Sequence, residues 1–503
     1  MLPLKLGDET QFRLVREFLE GCGYTEPVAA ERLGFPRLDQ LNQYHRCDQA
    51  KRDRNLKIRD PLSLVVRLFL CGHAVDPAEL QEFFPAPVQG ALKELGLIQT
   101  KSAKVISPVL LYPSHDLYLV SDRYMNPDGS DVTTGSEFVY LALQENTTDF
   151  INHTPASPCE TFLDLGAGCG IAALWAAKNF AGRAWAADIA GRSTHFSEFN
   201  RRLNGIANAT VVQGDMYAAV PGLTFDRITT HPPYVMNPAK TGYVYADGGE
   251  DGETLIRRAI AEVPPHLAPG GIFSCTSMAS DRFGQPLEQR IRQWLGDAGD
   301  EHDVALIINE VIQPMDFAIS SIGVKKGHLR ELETWKALFQ RNQVEDLVYG
   351  LLLVRRHSRA GQKPFTARRM KSPQTSRACV AWMFDWEAAA AQPDRGEMLL
   401  AGRPVASPVA ELVVRHQSRD GDLQPLDYTF RTQYPFDASL KCPSWTAYLF
   451  SRCDGKRMGA ELFAELKPNL PAQGGQEEFL RGLSALISGG FLEIEPFRLP
   501  AAG

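Results

Sequence analysis

The sequence predicts an α/β fold, a mostly parallel sheet with helices on both faces, and three observations carry that expectation. The stretch TFLDLGAGCGIAALWAAK, from Thr161, is an apolar run ending in Asp164, then Gly166, Gly168 and Gly170, then helix-favouring residues from Ile171 to Lys178. That is the order strand, tight turn, helix. Three more apolar runs follow, RAWAADIAG, ATVVQGDMY and FDRITTHPPYV, and each ends in polar or turn-forming residues. Two late runs, DVALIINEVIQ and VEDLVYGLLLVRR, read as the last strands of the sheet, with the helical HLRELETWKALFQ between them.

The strand ends point to one site. Gly166, Ala167, Gly168 and Gly170 form a turn with little or no side chain, so a nucleotide can press against its backbone, and glycine tolerates positive φ there. Cys169, in the same turn, contributes through its backbone. Asp188, with Ile189 beside it, closes the second strand, where a carboxylate can accept hydrogen bonds from ribose hydroxyls. Asp215 and Met216 close the third, where an acid can meet an adenine amino group. The fourth delivers His231, Pro232, Pro233 and Tyr234. Ligands bind beyond the carboxyl ends of parallel strands, which puts all four ends on one rim.

Residues 1–125 read as an N-terminal helical and winged-helix-like domain. Phe12, Val15, Phe18 and Leu19 share one helical stripe. The charge-dense RCDQAKRDRNLKIR, Arg46 to Arg59, is a solvated face or a groove for a polyanion. DPLSLVVRLFLCG, DPAELQEFF and PVQGALKELGLIQ each open with a helix-start signal and carry apolar residues three and four apart. With the extended runs KVISPVLLYP and DLYLVSD they resemble a winged helix, a module that binds nucleic acid or serves packing and dimerisation.

Residues 126–357 form the central domain. In DVTTGSEFVYLAL, Ser136 or Thr134 can cap a helix, with Gly135 turning. DGGEDGE, Asp247 to Glu253, is a turn feeding an amphipathic helix, with Glu253 near its positive end. Its acids lack a paired histidine or a second cluster, so no metal site is expected. From Arg355 to Arg377 the chain holds eight Lys or Arg and no acid. With its Gly and Pro, 358–377 reads as a basic linker, either a solvated hinge or a contact for phosphates. Residues 378–503 read as a C-terminal α+β domain, whose last part weakly resembles winged-helix modules, including some that hold the leader of a modified peptide.

At 503 residues the chain is long enough for about three domains. A net charge of −7 excludes wholesale coating of nucleic acid, though a local basic patch remains open. No charged leader with an apolar core opens the chain, and no apolar run approaches a membrane span, so a soluble, cytoplasmic protein is expected. Nine scattered cysteines without a CxxC pair or metal-ligand spacing fit reduced thiols.

The glycine turn, the spaced acids and the tetrapeptide together resemble a class I, Rossmann-type S-adenosylmethionine-dependent methyltransferase over residues 126–357. The resemblance implies a seven-stranded sheet and S-adenosylmethionine bound by Asp164, Gly166, Ala167, Gly168, Gly170, Asp188, Ile189, Asp215 and Met216. It also makes Thr134, Gly135 and Ser136 candidates for a cover over the methionine end. A strand ending in [Asn/Asp/Ser]-Pro-Pro-[Tyr/Phe] is typical of the branch that methylates planar amide or amino nitrogens, and loops like DGGEDGE border the substrate pocket there. This chain departs from that pattern with His231. Neutral imidazole could accept one N–H while the Pro232 carbonyl takes the other, with Tyr234 packed on a planar substrate; imidazole could also act as a general base. The reading that follows is N-methylation of a protein or RNA group. Its alternatives are methylation of a small metabolite or modified peptide with His231 as base, and a non-catalytic sensor of the cofactor. An unperturbed His231 would titrate near pH 6.5 and weaken the reaction below it.

Overall fold

The computed structural model describes residues 2–123, 137–236, 248–322, 329–419, 421–470 and 475–501. The chain divides into two compact units, Met1–Met278 and Ala279–Gly503. The first opens with a helix over Glu9–Gly21, where Asp8 accepts from the Gln11 amide and the Gln11 side chain accepts from the Asp8 amide. This reciprocal cap satisfies two otherwise orphaned donors. Phe12, Val15 and Leu19 form the buried stripe, and Phe12 meets Phe199 edge to face at 5.0 Å.

Helices Pro61–Val65, which runs on through Val66–Leu70, Pro77–Phe83 and Ala86–Glu94 then lead into a hairpin of Gln99–Lys101 and Lys104–Ile106. A second hairpin, Leu110–Ser114 with Leu117–Ser121, is almost wholly buried. Its second strand lies beside the helix Gly191–Leu203. There Asn200 accepts from the Val120 amide at 2.8 Å and donates to its carbonyl at 3.1 Å. Asn204 does the same with Tyr118, at 2.8 and 2.7 Å. A side-chain amide carries both donor and acceptor, so each asparagine serves the strand as a neighbouring strand would.

The central, mostly parallel sheet has eight strands. In the first unit β1 (Cys159–Leu165), β2 (Ala181–Asp188), β3 (Ala209–Gln213), β4 (Phe225–Thr230) and β5 (Leu267–Arg282) lie in the order β5-β4-β1-β2-β3, every neighbour parallel. Phe162 and Leu163 of β1 are fully buried on opposite faces, as a strand covered by helices on both sides requires. The chain steps outward from β1 through β3 and returns to the other side of β1 as β4. That reversal is a topological switch point, where doubly wound folds bind their ligands.

In the second unit β6 (His302–Ile312) pairs antiparallel with β7 (Val344–Arg356) and parallel with β8 (Thr366–Met370). β8 lies inside the stretch expected to be a linker, and it raises the strand count from the expected seven to eight. The charge run hides its partners: Arg368 pairs with Asp281 and Glu288, and Arg369 with Glu387. The same unit carries a three-stranded antiparallel sheet of Glu411–Arg419, Asp422–Thr432 and Ala438–Cys442. Helices Ser444–Arg452, Gly459–Leu466 and Gly475–Ser488 follow it. Among the described residues no helix is long and apolar enough to cross a membrane.

Candidate active site

β1 runs into the glycine turn because its apolar side chains end at Leu165, and the next residues adopt backbone angles that favour glycine. Gly166, Gly168 and Gly170 have φ of 70°, 56° and 85°. Among the described residues, a Cβ on Gly166 or Gly168 would meet no protein atom within 4 Å, so the turn leaves the space a ligand cradle needs, whereas at Gly170 it would collide with the Ser197 hydroxyl. That hydroxyl is buried without a hydrogen-bond partner among the described residues. The turn is pinned to β2: the Gly166 and Ala167 amides donate to the Ala187 carbonyl at 2.8 and 3.0 Å.

Asp188, at the end of β2, accepts from the Gly168 amide at 2.8 Å and the Ala190 amide at 2.9 Å. One carboxylate therefore fixes both the turn and the start of the next helix. Burial raises its pKa, with the Glu137 carboxylate adding to the effect. Beside it Ile189 is 55% exposed.

Asp164 lies behind this surface. It is buried, accepts from the Ala173 amide at 3.3 Å, and has its pKa raised from the ordinary 3.8 to about 8 by burial. Between those values the folded state keeps a proton that the unfolded state releases, so this group's contribution to stability is lost as pH rises toward 8. Asp164→Asn should accordingly gain thermal stability relative to the unsubstituted chain between pH 5 and pH 8. Melting curves across that range check the sign; a difference independent of pH rules out a protonated Asp164.

β4 delivers the tetrapeptide next to the turn, since Leu165 pairs with Thr230 and the Thr230 hydroxyl donates to the Leu165 carbonyl at 2.8 Å. The His231 ring stacks with Phe150 at 5.1 Å and 28°, and with Tyr234 at 5.9 Å and 27°. Its Nε2 is shielded from solvent and has no hydrogen-bond partner among the described residues. Burial lowers its pKa to about 4, well below the 6.5 expected from the sequence, so the ring is neutral at physiological pH. Pro232 is buried and Pro233 half-buried. The Tyr234 hydroxyl accepts from the Asn146 side chain at 3.4 Å. A Cβ on Gly252 would come within 2.6 Å of the Tyr234 carbonyl, so part of the Gly-Asp turn does border the tetrapeptide.

Asp215 follows β3, but Arg258 holds its carboxylate at 2.8 and 2.9 Å. Met216, at φ 51°, opens the short turn after it. Thr134, Gly135, Ser136 and Asp247 lie outside the described residues. Sequence reasoning missed Asn146 and Phe150, although their spacing of four within the helix Glu145–His153 puts them on one face. Ser197 and Arg258 carried no local signal.

The glycine turn at the switch point, the carboxylate that closes β2 and the tetrapeptide that follows β4 are the features by which the sequence resembles Rossmann-type S-adenosylmethionine-dependent methyltransferases. Residues 133–292 match the family model of the methyltransferase small domain. The chain is similar to the release factor glutamine methyltransferase of Moorella thermoacetica, 32% identical over 27% of this chain and 52% of the relative. It is similar to the ribosomal protein uL3 glutamine methyltransferase of Bordetella pertussis, 27% identical over 30% of this chain and 55% of that protein. A third relative is the ribosomal RNA small subunit methyltransferase C of Alcanivorax borkumensis, 26% identical over 28% and 37% of the two chains. The chain thus spans about half, or less, of the relatives it matches.

Proposed function

We propose that this chain is a methyltransferase that N-methylates an amide or amino group of a macromolecule, with a protein side-chain amide as the favoured acceptor. One observation carries the reading: a neutral, solvent-shielded imidazole Nε2 stands at the end of β4, beside a glycine turn that faces open space. S-adenosylmethionine, when bound, supplies a methyl group already activated on its sulfonium. What this chain's residues must do is place a nitrogen in line, keep water out and take up N–H hydrogens.

A group with a pKa of about 4 is a weak base, poorly matched to removing a proton from a hydroxyl or a charged amine at neutral pH. It remains a good hydrogen-bond acceptor in its neutral form. That favours an amide or aromatic amine, whose N–H needs an acceptor rather than a strong base. Two of the relatives are named for protein glutamine and one for RNA. Arg355, Arg368 and Arg369 of the basic stretch already pair with Asp303, Asp281, Glu288 and Glu387, which weakens the case for a phosphate contact there.

Incubation with labelled S-adenosylmethionine and ribosomal or total-protein fractions, with and without ribonuclease and protease, tests the proposal. Label that survives ribonuclease and disappears with protease supports it; cofactor binding without transfer to any fraction defeats it. The rate should stay level from neutral pH down to about 5 and fall as pH approaches 4, because protonation of His231 removes its acceptor. A midpoint near 6.5 in the single-turnover pH profile would contradict a neutral ring with a shielded Nε2.

A further inference from the structure

Two consecutive buried side chains, Asp122 and Arg123, reach in different directions. Asp122 forms a two-pronged ion pair with Arg192, its Oδ2 accepting from Nε at 2.8 Å and its Oδ1 accepting from the second guanidinium arm. The same Oδ2 accepts from the Val139 amide at 2.9 Å, and the Asp122 amide donates to the Val139 carbonyl at 3.1 Å. Arg123 turns toward the N-terminal module. Its guanidinium donates to the carbonyls of Leu68 at 3.0 Å, Phe69 at 2.7 Å and Ser107 at 3.1 Å. The first two are at the carboxyl end of the helix running from Pro61 to Leu70, where carbonyls lack helical partners.

Arg192 is the second residue of the helix Gly191–Leu203 and follows Asp188 by four positions. Its amide donates to Glu137 at 3.3 Å, and the Ala190 amide, two residues earlier, is held by Asp188. A shift of Arg192 therefore moves the turn that sets the Asp188 carboxylate. We propose that Asp122 is a positioning residue for S-adenosylmethionine: through Arg192 and Val139 it fixes the ribose-facing turn, and through Arg123 it anchors that turn to the N-terminal module.

This rests on the methyltransferase reading, and direct binding separates the two. Titration of S-adenosylhomocysteine into the full chain should show Asp122→Asn and Arg192→Gln each weakening binding about tenfold, the scale of one charged hydrogen bond. The double variant should be no worse than the weaker single one. Arg201→Gln, which removes a comparable ion pair with Glu198 on the same helix, should leave affinity unchanged. With saturating cofactor, kcat should move less than the cofactor KM, a split that mere loss of stability does not produce. Unchanged affinity in Asp122→Asn, or equal loss in Arg201→Gln, overturns the assignment. Failure of the unsubstituted chain to bind would instead remove the methyltransferase reading and this inference with it.

Discussion

Asp188→Ala should weaken S-adenosylhomocysteine binding about a hundredfold, the combined effect of losing charge-assisted bonds to the ligand and to the protein. The substitution removes the proposed ribose acceptor and also releases the amides of Gly168 and Ala190, which this carboxylate ties together across the turn. Asp188→Asn keeps one oxygen acceptor and should lie between the two, about tenfold weaker than the unsubstituted chain. Calorimetric titration measures both. Equal affinities for all three chains would show that the cradle is not where the nucleoside sits.

Substitution of His231 should separate chemistry from packing. Phenylalanine keeps the ring stack with Phe150 and Tyr234 but has no Nε2, so single-turnover methyl transfer should fall by about 10²- to 10³-fold, as for other lost transition-state hydrogen bonds. The same variant should melt at a higher temperature, because a buried polar atom with no partner among the described residues has been replaced by carbon. Asparagine, one of the residues typical of the amide-methylating branch at this position, should retain activity to within about tenfold. Full activity in His231→Phe would leave the imidazole as filler.

The sequence announced the parts of the site that depend on local backbone. Three glycines at alternate positions and four strand ends are visible because a positive φ or a change from period two to a turn leaves its mark in adjacent residues. Side chains that meet across the fold leave no such mark. Nothing near Asp215 points to Arg258, forty-three positions away, and the stack of Phe150 on His231 joins residues eighty-one apart. The basic stretch misled for the same reason: Arg368 and Arg369 look unpaired until strand β8 brings them to Asp281, Glu288 and Glu387. The pKa of His231 likewise reflects its surroundings, and a tetrapeptide does not encode them.

The side-chain amides of Asn200 and Asn204 have a practical meaning for anyone trimming this protein. A cut at residue 125 looks natural from the sequence, yet it would strip away the strand those amides hold and the Tyr112 hydroxyl that accepts from the Ala142 amide at 2.7 Å. Two polar side chains would be left facing solvent at the end of the helix Gly191–Leu203. The front of the chain is therefore no interchangeable cassette: any graft onto another catalytic domain must carry the hairpin and both asparagines together.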